Sequence, residues 1–574
     1  MKKVFSSIAA VLIFAASYSQ SGYSYKIINN ENVRKRFGPI TSDNNGNTII
    51  SGQFETTITF GGITLTNSSP SPGSYNTGFV AKELPNGSFA WAKMLTPKSI
   101  PNGISWITIY GINTDASGNI YLTGNFIGKI DIGNNITLTS SKSGTGYSPD
   151  IFTVKMLSNG STAWGKTVGT TNEGCNSGET GRSIATDNAG NIYTTGEIVN
   201  QVFNNTNVCN DICPNSTFKS ITCPIVIKYN AAGQKVWEVR FPSTSAVAGT
   251  SCWYNHPGGT DIRTDGTNIY VAGYFYGTTN FGNGTLSTGS ETISNIFLVK
   301  LNTNGVTLWA KSVTGGVTAG YGVGDGLFVN GNDIYLRGLF YSGTISLSGC
   351  TLTYTSSRGF LAKVFSDGNC SWMQTLWGTS YGTVPHPDGN LAMLLRRTGS
   401  PYPVGGWYGI KELSPVDGSA TDSTEISLAD TVTGSVWGYP SIAQLPDGFI
   451  FSQHIQGTLH FGDLTITSTG SADNMMLIRY TTTPPPVAGR GNIIAETSLN
   501  KIVLYPNPTS SQITIHNNNN NLLGTVSIYD ISGKMIYKKF IESFQTTIDV
   551  KNFSTGVYCI RSDQLQATIK FVKQ

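Results

Sequence analysis

The chain has 574 residues, long enough for a large core and a second domain, and only 12% of them are charged, about half the usual share for soluble domains. Glycine numbers 67, and much of the remaining polarity comes from Ser, Thr and Asn, so solubility rests on uncharged hydrogen-bonding groups. The 37 basic and 33 acidic residues leave a formal charge of +4 without any run of five or six like charges, which argues against nucleic acid or an anionic membrane as partner.

Met1-Lys2-Lys3 precede an apolar run from Val4 to Ala16 and then Ser17-Tyr18-Ser19, the pattern of a secretory signal peptide cleaved after Ser19. The run is well short of the roughly 20 residues that span a bilayer, and no later stretch is apolar enough to do so. The expected domains are therefore a leader at 1–19, a repeat region at 20–480, a linker at 481–500 and a terminal domain at 501–574.

Within the repeat region one phrase recurs. Thr114 to Gly124 reads Thr-Asp-Ala-Ser-Gly-Asn-Ile-Tyr-Leu-Thr-Gly, and Thr186 to Gly196 and Thr264 to Gly273 are variants of it. Asp, Gly and Asn stand where a tight turn needs side-chain-to-backbone bonds and positive φ. Asn86-Gly87, Asn159-Gly160, Asn304-Gly305, Asp367-Gly368 and Asp417-Gly418 supply the next hairpin turn. Thr48, Ile120, Ile192, Ile269, Ile334, Leu391 and Phe449 open the equivalent strand of seven units, at spacings of 57 to 77 residues. These exceed the roughly 40 to 50 residues of common propeller blades. An added hairpin in several units, as in Ile58-Thr59-Phe60-Gly61-Gly62-Ile63-Thr64-Leu65-Thr66, accounts for the surplus.

Strands such as Ile120-Tyr121-Leu122 and Ile296-Phe297-Leu298-Val299 are apolar on both faces and must be covered on both, which a radial stack of sheets achieves. Trp91, Trp164, Trp237, Trp309 and Trp372 recur at one place in the fourth strand, in step with the repeat, so they are expected to pack between units. Thr481-Thr482-Thr483-Pro484-Pro485-Pro486 ends the seventh unit after three strands. Tyr23-Ser24-Tyr25-Lys26-Ile27-Ile28 has the look of a fourth strand without a unit, and is expected to complete the last sheet and close the ring. Eight cysteines in an exported chain point to disulfides over metal, with Cys350 and Cys370 as the expected pair. Cys209 and Cys213 have no second ligand pair at structural-zinc spacing.

Units with Asp-x-x-Gly-Asn-Ile-Tyr, a following Gly, then Val-Lys and a late Trp resemble the seven-bladed β-propeller repeat family of bacterial exported proteins, over about Tyr23 to Tyr480. Unit six departs most, with His386-Pro387-Asp388-Gly389-Asn390 as its turn and Leu394-Leu395-Arg396-Arg397 in place of the Gly-containing strand. The expected fold class is all-β: a seven-bladed propeller closed by an N-terminal strand, followed by a small β-sandwich. In that last domain Leu504-Tyr505-Pro506-Asn507-Pro508, Val526 to Lys534, Gly556 to Arg561 and the final Ile569-Lys570-Phe571-Val572-Lys573 are similar, in this order, to the type A sorting domain of the type IX secretion system. The resemblance implies export through the periplasm of a Gram-negative bacterium to the surface or medium, with the secretion machinery as partner. Pro506, Asn507, Pro508, Gly533, Gly556, Tyr558 and Lys570 are the positions assigned to that signal.

No Gly-x-Ser-x-Gly, phosphate loop or His-Glu-x-x-His occurs, and the histidines His256, His386, His454, His460 and His516 are scattered. No catalytic residue, metal ligand or cofactor is assigned, and the turn aspartates are expected to bond their own turns instead of calcium. Asp261, Asp325, Arg337, Arg396 and Arg397 are off-pattern, and whether Asp261, Asp325, Arg337, Arg396 and His386 cluster decides between two classes. One is a monomeric exported module that binds a glycan or protein; the other is a propeller enzyme acting on polysaccharide, a glycoside hydrolase or lyase, which needs converging carboxylates or a Tyr with His or Arg.

Overall fold

The structure is a computed structural model that describes residues 23–481 apart from 29–34, 68–76, 101–104, 142–148, 170–178, 200–221, 243–256, 290–293, 316, 319–325, 341–342, 357, 377, 398–406, 423–440, 456–457, 462–463 and 468–473, and residues 502–574 apart from 506–508, 518–523, 531–533, 544 and 563–564. The leader at 1–19, Cys175, Cys209, Cys213, Cys252, His256, Asp325, Pro506, Asn507, Pro508 and Gly533 lie outside the described residues. The chain divides into two compact units, Met1–Val487 and Ala488–Gln574. Every regular element among the described residues is a strand.

In the first unit, seven antiparallel sheets of four or more strands follow one another along the chain. Their first strands are Lys35–Ser42, Trp106–Thr114, Thr180–Thr186, Gly258–Thr264, Leu327–Asn330, Thr379–Pro385 and Ser441–Leu445. Each of these packs beside the next and the seventh packs beside the first, a β-propeller-like arrangement. Hydroxyls tie the neighbours: Thr114 Oγ1 donates to the Ser42 carbonyl at 2.6 Å, and Ser441 Oγ accepts from the Ile40 N–H at 3.3 Å. The second strands Thr48–Phe54 and Ile120–Ile127 are buried at every residue, as strands with two apolar faces require. In the seventh sheet Tyr23–Ile28 lies antiparallel to Asn474–Thr481, with Tyr23 opposite Tyr480 and Ile28 opposite Met475.

The added hairpins form at Thr57–Thr66, Lys129–Thr139, Thr278–Ser287 and Thr458–Thr467, and a further one at Gly343–Tyr354 was not anticipated from the sequence. Cys350 of that hairpin is disulfide-bonded to Cys370 at the head of a fourth strand. Cys223 is different: it is a free, buried thiol, packed with Ile225, Ile227 and Ile184 as a small apolar residue.

The five tryptophans bridge successive sheets. Trp91, Trp164, Trp237 and Trp309 donate their indole N–H to the carbonyls of Ser158, Ala231, Thr303 and Ser366 at 3.0 to 3.2 Å, and Trp372 reaches Pro415 at 3.4 Å. Each of those carbonyls belongs to the hairpin turn of the following sheet. There the turn glycine lies flat on the indole: a Cβ on Gly233 would stand 2.7 Å from Trp164, and one on Gly305 3.0 Å from Trp237. The positive φ of these turns and the closeness of the ring both demand glycine. Trp237→Ala is expected to lower stability by about 3 kcal/mol in thermal or urea unfolding, whereas Trp237→Phe, which keeps an aromatic face and loses the hydrogen bond, should cost about 1 kcal/mol.

The turn aspartates are saturated locally. Asp265 accepts the backbone N–H groups of Thr267 and Asn268 and the Tyr270 hydroxyl, and Asp115 makes the corresponding bonds with Ser117, Asn119 and Tyr121. Burial alone would raise the pKa of both carboxyls, but these hydrogen bonds outweigh it and hold both below the ordinary aspartate range. A depressed folded pKa stabilises above the unfolded value of about 4 and is lost as pH falls through the folded one. Melting temperature should therefore drop steeply only below about pH 4, and less steeply in Asp265→Asn.

In the second unit a three-stranded sheet runs Ile502–Tyr505, Gln512–Asn517, Gln545–Asp549, and a four-stranded sheet runs Met535–Ile541, Gly524–Asp530, Gly556–Ser562, Leu565–Lys573. Both contribute to one apolar cluster that includes Ile513, Ile515, Val526, Ile528, Ile560 and Phe571.

Candidate functional site

The first strands of the seven sheets enclose a cavity of about 220 Å3, to which the sixth contributes Tyr381 and the seventh Ser441. Most of these strands carry a β-bulge at the same level: pairing shifts between Phe37 and Ile40, Ile109 and Gly111, Gly181 and Ser183, Gly259 and Asp261, and Ser380 and Gly382. A bulge leaves one residue without a cross-strand partner and turns its side chain off the alternating pattern. Among the residues freed in this way, Tyr110, Arg182 and Tyr381 line the cavity.

Arg182, Arg263 and Arg337 line it, and no Asp or Glu stands among the described lining residues. Arg182 Nη2 donates to Glu197 at 2.7 Å, and its guanidinium lies over the Tyr110 ring at 5.2 Å. Burial works against its charge, but Glu197 overrides this and keeps Arg182 above its ordinary pKa, so it stays charged at every working pH. Arg263 Nη1 pairs with Asp261 at 2.8 Å and is more exposed than Arg182. Arg337 is buried in the wall and donates to Ser380 Oγ at 3.2 Å.

Asp261 is fully buried and holds the wall together. It accepts from Ser183 Oγ at 2.7 Å, the Leu327 N–H at 3.0 Å and its neighbour's Ile262 N–H at 2.8 Å, joining the first strands of sheets three, four and five. Of the off-pattern residues, Arg337 lines the cavity and Asp261 lies behind its lining. Arg396, opposite Tyr408, and His386, in the turn after Pro385, do not line it, and the side chain of Arg397 is not described. Arg182 and Arg263 were not anticipated. Their signal was a large residue set between small or polar ones in a first strand, as in Gly181-Arg182-Ser183.

Of the second unit's sorting positions, Tyr558 is a core residue, its ring 5.4 Å from Phe571 and its hydroxyl on the Ser554 carbonyl at 2.8 Å. Gly556 has open space where a Cβ would stand, and Lys570 is paired through its backbone with Cys559.

These features define an all-β, propeller-like body bearing an arginine-lined cavity, with a separate two-sheet terminal unit. The terminal unit is matched at residues 503–574 by the family described as the secretion system C-terminal sorting domain. That domain indicates export to the cell surface or the medium. No helix among the described residues is long and apolar enough to cross a membrane. No curated protein matches the chain in sequence. Solved structures that align with the chain include the quinohemoprotein alcohol dehydrogenase of Comamonas testosteroni, at 10% identity and a TM-score of 0.37, over 81% of this chain and 77% of that one. They also include a point mutant of the NanB sialidase of Streptococcus pneumoniae, at 12% identity and a TM-score of 0.33, over 81% and 70%. A Bacteroides caccae protein of unknown function aligns at 10% identity and a TM-score of 0.27, over 60% and 83%.

Proposed function

We propose that the chain is an exported seven-bladed β-propeller, delivered by type IX secretion, that captures an anionic group, such as the uronate or sulfate end of an extracellular glycan, in its central cavity. The ring of seven first strands supports the blade count, the pairing of Tyr23–Ile28 with Asn474–Thr481 supports closure, and the two sheets around one core support a terminal β-sandwich. The convergence of Arg182, Arg263 and Arg337 on a cavity whose described lining has no carboxylate carries the reading. A guanidinium offers five N–H donors, so one carboxylate on Arg182 and one on Arg263 leave donors for a planar anion. The cavity is smaller than the roughly 300–1,000 Å3 of drug-sized sites, and suits one charged end group more than an oligosaccharide.

Calorimetry of the full mature chain against neutral, uronate-bearing and sulfated glycans tests this. Acidic glycans should bind and neutral ones should not, with affinity falling as salt rises. Arg263→Gln is the informative variant, because Asp261 keeps its bonds to Ser183, Ile262 and Leu327 when Arg263 is lost. It should weaken acidic-glycan binding about 10-fold or more, the worth of one charged hydrogen bond, and equal binding of neutral and acidic glycans would refute the assignment. Tyr110 and Tyr381 beside the arginines favour one alternative, a polysaccharide lyase. Release of unsaturated ends in the same samples would establish it.

A further inference from the structure

Six sheets share a cation that the sixth in chain order lacks. The third-strand residue opposite the one that follows Thr48, Ile120, Ile192, Ile269 and Ile334 is Lys82, Lys155, Lys228, Lys300 and Lys363 in sheets one to five, and opposite the one that follows Phe449 it is Arg479 in sheet seven. Lys82 pairs with the turn carboxylate of Asp43 at 2.9 Å, and Lys363 with Asp333 at 2.8 Å. Lys228, Lys300, Lys363 and Arg479 also donate to a backbone carbonyl in the turn of the following sheet. In sheet six the register position holds Glu412, opposite Ala392, and the turn position filled by Asp43, Asp115, Asp187 and Asp265 elsewhere holds His386. The cation has become an anion and the anion an imidazole.

The local geometry is that of a ligand set. Asp388 Oδ1 lies 2.6 Å from His386 Nδ1, and the Asp388 carboxylate is itself fixed by the Asn390 N–H and side-chain amide at 2.9 and 2.8 Å. A proton on Nδ1, held by Asp388, leaves Nε2 with its lone pair. Nε2 is buried without a hydrogen-bond partner, 3.5 Å from Glu412 Oε1. Two electron-rich atoms at that separation do not bond each other. With metal bonds of about 2.0–2.1 Å they would subtend about 117° at a shared ion, close to a tetrahedral angle. The Tyr480 ring, 4.9 Å away between centroids, and the Phe449 ring at 6.0 Å fix the imidazole plane. One ligand atom each from His386, Asp388 and Glu412 fall within 4.8 Å of one another, and of the three only Asp388 is exposed.

We propose that His386 and Glu412, with Asp388 orienting the imidazole, bind one divalent cation of the zinc class, which stands in for the ammonium or guanidinium of the other six sheets. An imidazole donor selects this class over calcium or magnesium, whose sites are built from oxygen.

The test is titration of the chelator-stripped full chain with zinc chloride, followed by calorimetry and thermal melting at pH 7.5. The expected result is saturable zinc uptake with a rise in melting temperature, no rise with calcium, and loss of one equivalent of zinc in both Glu412→Gln and His386→Gln. Asp388→Asn should weaken binding about 10- to 100-fold, as for outer-shell partners generally. Glu412→Lys restores the cation of the other sheets, and should lose that equivalent while melting no lower than the zinc-free parent, so a folding defect does not mimic the result. No zinc uptake by the parent, or uptake undiminished in Glu412→Lys, overturns the proposal.

Discussion

A chain ended after Val487 should fold, melt close to the parent and accumulate inside the cell envelope, with less than about a hundredth of the parent's amount reaching the surface or medium. The expectation of normal folding rests on topology. No described strand of the seven sheets comes from beyond Thr481, and the terminal unit has its own core around Ile513, Val526, Ile560 and Phe571. Loss of export follows because the segment removed contains all of residues 503–574, the sorting-domain match. The complementary experiment attaches residues 488–574 to a periplasmic carrier protein, which should then leave the cell. Tyr558→Ala separates sequence from fold within the tail: it empties the stack on Phe571 and Phe553 and should destabilise that unit by about 3 kcal/mol, reducing export even though every other sorting position is intact. A truncated chain found in the medium at the parent's level would refute the sorting role.

What could be read from the sequence was what is encoded locally or repeated. The turn at Asp115 to Asn119 is legible because one carboxylate satisfies its own turn, and the tryptophans are legible because they recur with the turns that cover them. The cavity was not, because it depends on register. In an unbroken strand Arg182 would read as one more alternating residue, and a one-residue bulge between Gly181 and Ser183 is what changes its facing. Asp261 stood out in the sequence only as off-pattern, and its burial and its bonds across three strands make it a clasp. His386 and Glu412 are brought together only by the pairing of Leu391–Arg397 with Trp407–Leu413. Unit six's departure from the repeat was visible; its exchange of charge between turn and strand required the register.

Deletion of Tyr23–Ile28, with residue 22 joined to residue 29, should lower the melting temperature by about 5 °C and promote aggregation. Ile28 belongs to the cluster of Phe37, Phe79, Ala443 and Leu477, so the deletion opens core as well as edge. Lys26 pairs with buried Glu83 at 2.9 Å and lies over the Phe89 ring at 4.2 Å, joining the seventh sheet to the first. Removing the strand leaves Glu83 to the more distant Arg479, at 3.8 Å, and exposes the hydrogen-bonding edge of Asn474–Thr481. At about 2.1 cal/mol/K of unfolding entropy per residue, a unit of this size shifts by about 1 °C per kcal/mol, so several kcal/mol of loss give the predicted shift. Lys26→Met keeps the strand and removes only its charge, and should account for a minor part of the loss. Two seams join the ends of this unit: the Tyr23–Ile28 pairing at the rim, and the contact of Lys35–Ser42 with Ser441–Leu445 near the cavity, where Ile40 N–H meets Ser441 Oγ. A deletion that melts like the parent would mean that the inner seam alone closes the unit, and that the N-terminal strand covers an edge without bearing on stability.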